Sequence, residues 1–140
     1  MDDTDVKILK MLQENARYSM TELGKQVGLT QPAVTGRVRK LEEQGTISGY
    51  KAQLNPTKIG KTVKAFVMVQ TQHCKAFSEH CANEPDVVDL HRISGEFNYL
   101  VKVMTESIEK LEAFTASCNK FGYFQVMVVL SSRIEHNHNF

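Results

Sequence analysis

The chain contains no tryptophan, only three prolines among its 140 residues, and no apolar run near the length that a membrane span requires. Its first residues, Met1-Asp2-Asp3-Thr4-Asp5, are acidic, whereas a secretory leader begins with basic residues and continues with apolar ones. We therefore expect a protein without leader or membrane segment, working in the cytoplasm. Hydrophobic residues make up 41% of the sequence, which is enough to form a packed core.

Cysteine is also scarce, and its three positions do not suggest disulfides. Cys74, Cys81 and Cys118 are odd in number and include no Cys-x-x-Cys pair. Each falls within an apolar pattern, which is where a thiol behaves as a small hydrophobic side chain. We expect free, buried thiols in a reducing compartment.

The sequence lacks the common motifs of catalysis and metal binding. It has no Gly-rich phosphate loop, nucleophile elbow or His-x-x-x-His helix. His73-Cys74 and His80-Cys81 repeat after seven residues, and His136-Asn137-His138 forms a polar tail, but the compact spacings of zinc ligands are missing. We expect no catalytic residue, no metal and no cofactor, and an enzyme is the least favoured class.

The net charge of +1 conceals an asymmetry between the two halves of the chain. Residues 1–61 carry ten Lys/Arg and seven Asp/Glu, which gives +3, whereas residues 62–140 carry seven and nine, which gives −2. The length suits one ordinary domain or two small ones. A polyanion is therefore expected to meet the first half.

Three helices are predicted in that half. Ile8, Leu9 and Leu12 fall on one stripe of a first helix that begins near Asp2. Ser19-Met20-Thr21-Glu22 is a capping box for a short second helix, which Gly28 ends. Thr30 is a suitable N-cap for a third helix that reaches about Gln44 and ends at Gly45, with Pro32 in its first turn.

A short helix, a tight turn at glycine and a longer helix describe the helix-turn-helix, whose second helix enters the DNA major groove. Val34, Val38 and Leu41 form the inward stripe of the third helix, and a rotation of 100° per residue then gives its outward face. That face contains Gln31, Pro32, Thr35, Gly36, Arg39 and Lys40.

Each outward residue type suggests a role at DNA. The fork of Arg39 can pair with guanine, while Gln31 and Thr35 can read bases near the start of the helix. Gly36 lets the helix lie close in the groove. Lys40, together with Arg17 and Lys25 from outside this helix, is expected to contact phosphates, which gives affinity without sequence information.

Another interpretation of the same charges remains open. Arg37 lies at the edge of the buried stripe, and we expect it to be a structural ion-pair partner. Arg39 and Lys40, followed by Glu42 and Glu43, are also consistent with a solvated face with local charge pairs. Three-helix units also serve in protein interactions, so an assembly or small-molecule-binding module without sequence-specific DNA binding is the alternative function.

The order of these residues resembles the N-terminal domain of Lrp/AsnC (feast/famine) regulators. The resemblance lies in Asp5-x-x-Ile8-Leu9-x-x-Leu12, Glu22-Leu23-Gly24-x-x-Val27-Gly28-Leu29-Thr30 and Arg37-Val38-x-x-Leu41-Glu42-x-x-Gly45-x-Ile47-x-Gly49-Tyr50. It continues through Asn55-Pro56 and Ile59-Gly60 into the second half. The resemblance implies sequence-specific binding of double-stranded DNA, assembly through the C-terminal domain as dimers or rings of dimers such as octamers, and in many members an amino-acid effector.

The remaining chain predicts a linker and an α+β domain. Gly49 to Leu54 alternates enough for a short strand, and 57–61 reads as a bridge, so 49–61 is the predicted strand and hinge linker. From Thr62 the pattern gives a strand, a helix, two strands (Val87 to Ser94 and Tyr99 to Thr105), a helix and a last strand from Tyr123 to Ser132. The predicted fold is a winged-type three-helix domain over 1–48 and a ferredoxin-like βαββαβ domain over 62–140.

In that arrangement the helices cover one face of the sheet. The first and last strands are nevertheless apolar on both faces, with Phe66 and Met68 in one and Met127 and Val129 in the other. An apolar face left in water usually marks a partner surface. We expect a homodimer through the sheet, which would present two recognition helices to a roughly palindromic site.

The resemblance implies an effector pocket near the turn between the second and third strands. The family motif there is Gly-x-x-Asp-Tyr, and this chain has Gly95, Glu96, Phe97, Asn98 and Tyr99. Asparagine accepts a hydrogen bond but offers no charge to an amino group. The family's Thr-x-Thr in the last strand is missing as well, and both departures argue against an ordinary amino acid. The structural alternative is that Gly95 and Asn98 form a turn needing positive φ and that Tyr99 is packing.

Overall fold

The computed structural model describes residues 1–137. Of the predicted features, His138 at the end of the polar tail and the last three residues of the 62–140 domain lie outside the described part. The chain divides into two units, Met1–Gln53 and the part from Leu54 onward. Within residues 1–137 no helix is long and apolar enough to cross a membrane.

The first unit contains α1 (Asp3–Glu14), α2 (Met20–Val27) and α3 (Gln31–Glu43). Their buried side chains form one apolar core, made by Ile8, Leu12, Leu23, Val34, Val38 and Leu41. Asp2 caps α1, Ser19 caps α2 and Thr30 caps α3, each by accepting from a backbone N–H three residues on. The three predicted helices are confirmed, and their ends differ from the predicted ones by one or two residues.

The predicted linker strand is wrong. Gly49 to Leu54 are exposed and belong to no strand among the described residues, and Pro56–Ile59 then forms a 3₁₀ turn. A strand needs a neighbour to accept and donate its ladder hydrogen bonds, and this segment has none among residues 1–137. The alternation of side chains predicted a strand but could not supply a partner for it.

The second unit contains β1 (Val63–Thr71), α4 (Cys74–Ala82), β2 (Val87–Arg92), β3 (Tyr99–Thr105), α5 (Ile108–Cys118) and β4 (Gly122–Val128). The sheet has the order β2-β3-β1-β4 and every pairing is antiparallel. This is the ferredoxin-like βαββαβ arrangement, and the predicted α+β fold class is confirmed.

Alternate residues of β1 place the core on one side of the sheet. Ala65, Val67 and Val69 are completely buried, and they share a cluster with Phe77 of α4 and Leu111 of α5. The same face of β3 contributes Tyr99, Val101 and Val103. The alternation of Val63, Ala65, Val67 and Val69 in the sequence predicts that these residues share one face of a strand, and the structure confirms this.

Three details of the second unit differ from the prediction. β2 ends at Arg92, and the Ile93 N–H donates to the Asn98 carbonyl across the turn that follows. β4 ends at Val128, since β1 begins at Val63 and offers no ladder partner much beyond the bond from Val129 to Lys64. The helical spacing of Ile108, Leu111 and Phe114 predicts that all three face inward, but Ile108 is 52% exposed because it is the first residue of α5 and belongs to no described core cluster.

Candidate nucleic-acid interface and effector region

Reciprocal bonds cap the start of α2, and two glycines shape the turn between α2 and α3. Ser19 Oγ accepts from the Glu22 N–H at 3.1 Å, and the Ser19 N–H donates to Glu22 Oε2 at 2.8 Å, so the predicted capping box is confirmed. Gly28 ends α2 with φ +72°, a conformation that costs glycine little.

Gly24 fixes how closely the turn packs on α2, a role that the sequence pattern did not reveal. A Cβ at this position would lie 2.6 Å from the Leu29 carbonyl oxygen, too close for any side chain. The Leu29 N–H also donates to the Gly24 carbonyl at 2.9 Å. The only signal in the sequence is a glycine inside a helix, where it is otherwise unfavourable.

The core of the first unit determines which face of α3 is exposed. Val34, Val38 and Leu41 are at most 4% exposed and fix the rotation of the helix. Gln31, Pro32, Arg39 and Lys40 are exposed, and Thr35 and Gly36 are partly exposed. All six predicted α3 residues are thus wholly or partly exposed along this helix. Arg17 precedes α2 and Lys25 lies on it, and both are exposed.

The cations of this unit fall into two groups. Within residues 1–137, the side chains of Arg39, Lys40, Arg17 and Lys25 form no ion pair with a carboxylate. The local charge pairing of Arg39 and Lys40 with Glu42 and Glu43, considered from the sequence, is therefore not formed there. These four exposed cations are therefore available to contact a polyanion.

Arg37 belongs to the other group. Its Nη1 donates to Asp2 Oδ2 at 2.7 Å and to Asp5 Oδ1 at 3.0 Å. The hydrogen bond from Arg37, aided by the Asp5 backbone N–H, lowers the pKa of Asp2 from 3.8 to about 2. The prediction of a structural ion pair is confirmed, and Arg37 links the start of α1 to α3.

Asn98 in the effector region has a clear structural role. Its Oδ1 accepts from the Thr71 N–H at 3.0 Å, and its Nδ2 donates to the Thr71 carbonyl at 2.8 Å. The side chain therefore binds the end of β1 as a neighbouring strand would. Gly95 has φ +114°, as predicted, but Asn98 does not have positive φ, so that part of the prediction is wrong. Asn98 stabilises this region through its amide instead of its backbone angle.

The other residues of the turn divide between the core and the surface. Tyr99 is buried, with its ring 5.3 Å from that of Phe77, which favours the packing interpretation for this side chain. Glu96 and Phe97 instead approach Tyr123 of β4. The Tyr123 hydroxyl donates to Glu96 Oε1 at 2.8 Å, and the rings of Phe97 and Tyr123 are 5.2 Å apart.

The sheet face opposite α4 and α5 has an apolar centre with polar residues around it, and it is partly exposed. Phe66 pairs with Met127 on one side and Lys102 on the other, and Met68 pairs with Leu100 and Gln125. At the end of this face, Lys64 forms an ion pair with Glu135. The surface expected from the sequence is present, and below we call Phe66, Met68, Leu100, Met104 and Met127 the open sheet face.

The cysteines are free, as predicted, and two of them are buried. Burial is the main reason why the pKa of the Cys81 thiol rises to about 12 and that of Cys118 to about 11. Such thiols stay protonated and unreactive, and they serve as core side chains. Cys74 is only partly buried, so the expectation of burial does not hold fully for it.

A helix-turn-helix with an unpaired cationic face and a separate ferredoxin-like unit define a regulator of the helix-turn-helix class. Comparison with known proteins agrees. Residues 1–42 match the AsnC-type helix-turn-helix domain, and residues 64–138 match the Lrp/AsnC ligand binding domain. The chain is 45% identical over 136 residues to the HTH-type transcriptional regulator YezC of Bacillus subtilis (strain 168), covering 97% of this chain and 98% of that one.

Further similarities extend to solved structures. The leucine-responsive regulatory protein of Rhizobium meliloti (strain 1021) is 38% identical over 81% of this chain and 76% of its own length. The structure of B. subtilis LrpC has a TM-score of 0.89 at 30% identity, covering 94% of this chain and 96% of that chain. The NMB0573/L-Met complex from Neisseria meningitidis has a TM-score of 0.91 at 26% identity, covering 96% and 93%.

This chain therefore belongs to the Lrp/AsnC family of DNA-binding transcriptional regulators. The interpretation from the sequence is confirmed for the family, the fold class and the function as a regulator rather than an enzyme.

Proposed function

We propose that α3 recognises DNA by sequence, with Gln31, Thr35 and Arg39 at base edges. These three residues are spaced by four and follow one line along the exposed side of the helix. Lys40, Arg17 and Lys25 hold phosphates, while Pro32 and Gly36 keep the helix surface low enough to enter the groove. The observation that carries this proposal is that Arg39 and Lys40 are exposed without ion pairs, while the nearby Arg37 is paired with two carboxylates.

We propose further that the protein acts as a homodimer through the open sheet face, with assembly of dimers into rings as a second level. Apolar side chains at the centre of that face support an isologous interface, in which the same patch meets itself. A dimer would present two α3 helices to two half-sites. DNA as the partner, together with free thiols, supports a cytoplasmic location.

An amino acid or a related small molecule is the proposed effector, bound near Gly95 to Tyr99. The L-methionine bound by the related Neisseria regulator supports this class of ligand. Because both polar ends of the Asn98 amide are used by Thr71, the exposed Glu96 carboxylate is the group in this turn that can meet an ammonium. The difference from the family motif then changes which side chain provides the charge.

The test is a binding assay at fixed salt on DNA from upstream of the protein's own gene, against scrambled DNA of equal length. It is run with and without a pool of amino acids. We expect preference for the native DNA and a shift of that preference with the pool. Equal affinity for both DNAs, followed by failure of a random-sequence selection to enrich any site, would contradict the recognition proposal and favour an assembly module. Preference without a response to the pool would contradict only the effector proposal.

A further inference from the structure

Thr35 has a feature that distinguishes it from every other polar side chain described. Among residues 1–137, its Oγ1 is the one buried side-chain nitrogen or oxygen without a hydrogen-bond partner, with less than 1 Å² exposed. A threonine inside a helix usually bonds a carbonyl one turn earlier, and this one does not. Solvent does not reach the oxygen either, so the hydroxyl is neither satisfied nor presented at the surface.

The residue as a whole is nevertheless partly exposed. Thr35 lies between Gln31 and Arg39 on the proposed reading line, and its neighbour Val34 is completely buried. The Cβ carries two substituents, and the oxygen is turned away from solvent. Of the two substituents, the γ-methyl is therefore the one that remains available for contact at the surface.

We infer that Thr35 reads DNA with its methyl group, through apolar contact with the C5-methyl of a thymine, and not with its hydroxyl. The inference rests on the proposed sequence recognition by α3 and specifies the chemistry of one contact within it. Thymine is the base whose major-groove edge carries a methyl group, so such a contact selects it. Thr35 would then contact a base through an apolar group, and Arg39 would contact another base through charged hydrogen-bond donors.

Geometry also predicts where the thymine lies. Thr35 and Arg39 are four residues apart, which is about 6 Å along the helix axis. Stacked bases rise about 3.4 Å along one strand, so the thymine is expected about two base pairs from the guanine that Arg39 contacts.

The experiment uses the full chain, the best site from selection, and copies of that site in which each thymine is replaced in turn by deoxyuridine. Uracil lacks only the C5-methyl. We expect one replacement per half-site to weaken binding by about fourfold, the value of one buried methyl group. Two variants of Thr35 then separate its groups: Thr35→Val keeps a methyl and removes the hydroxyl, and Thr35→Ser does the opposite.

Thr35→Val is expected to bind within about twofold of the wild type, to keep the sensitivity to uracil, and to melt at higher temperature because an unsatisfied hydroxyl is gone. Thr35→Ser is expected to lose about fourfold in affinity and to become insensitive to uracil. The inference is overturned if Ser binds like the wild type while Val loses affinity, since the hydroxyl would then be the reading group. It is also overturned if no uracil replacement matters on a site that the wild type still prefers over scrambled DNA. Loss of that preference altogether would instead refute the proposed recognition by α3.

Discussion

Gly36 provides a prediction in which stability and DNA binding change in opposite directions. A Cβ added at this position would meet no atom within 4 Å, so the first unit itself has no packing reason for a glycine there. Gly36 lies inside α3, where glycine is less favourable than alanine by about 1 kcal/mol. Gly36→Ala should therefore raise the free energy of unfolding of this unit by about that amount, a factor of about five in its folding equilibrium.

At the DNA the same methyl group should be harmful. If α3 approaches the groove floor at Gly36, the added methyl displaces the helix or its contacts, and overpacking of this kind costs about 1–3 kcal/mol. We expect affinity for the preferred site to fall about fivefold or more. Hydrogen exchange of the α3 amides measures the stability, and fluorescence anisotropy on labelled DNA measures the affinity.

Gly28→Ala is the matched control, because Gly28 has φ +72° and alanine is strained there. It should lower the stability of the unit by about 1 kcal/mol and should not change the preference between DNA sequences. Two results would refute the reasoning for Gly36→Ala. If the variant is more stable but binds DNA with unchanged affinity, α3 does not approach the DNA closely at Gly36. If the variant is less stable, the added methyl group does not have the free space that the structure shows around Gly36.

Three further predictions concern the rest of the fold. Because Arg37 holds the pKa of Asp2 at about 2, the stabilisation from this pair should be present above about pH 4 and lost as the pH falls towards 2; a thermal melt of Asp2→Asn against pH should lack this loss, and identical profiles would contradict the prediction. Asn98→Asp should lower the free energy of unfolding by about 1–3 kcal/mol, since a carboxylate cannot donate to the β1 carbonyl, and an unchanged urea midpoint would count against the role of the amide. Phe66→Glu should dissociate the proposed dimer in sedimentation, whereas Ala76→Glu on exposed α4 should not, and a Phe66 variant that sediments like the wild type would exclude the open sheet face as the interface.

The helical unit could be predicted well because its signals are local. Ser19 with Glu22, Gly28, and Thr30 with Pro32 each act within one turn of chain, and each appears in the structure at the expected position. The sequence predicted that Arg37 forms an ion pair but did not identify its partners. Its partners Asp2 and Asp5 lie more than thirty residues away, and periodicity within α3 could not name them.

The effector turn and the linker show where local patterns end. The role of Asn98 depends on Thr71, a contact that exists only after β1 and β3 pair. The linker segment from Gly49 has the alternation of a strand but lacks a ladder partner among the described residues. Similarly, the buried oxygen of Thr35 depends on a rotamer, so the sequence could place the residue on the outer face without specifying which group it presents.

The central claim is that α3 recognises sequence rather than charge alone, and comparing Arg39→Ala with Lys40→Ala tests it most directly. Affinities for the preferred site and for scrambled DNA are measured across a salt series. Lys75→Ala, on the exposed side of α4, is the control. We predict that Arg39→Ala reduces the ratio of the two affinities by about tenfold, since a base contact is worth about 1–3 kcal/mol. Lys40→Ala should weaken binding to both DNAs equally. It should also reduce the slope of log affinity against log salt concentration by about one. If Arg39→Ala instead weakens both DNAs equally, or changes neither, α3 does not read bases through this residue and the account is contradicted.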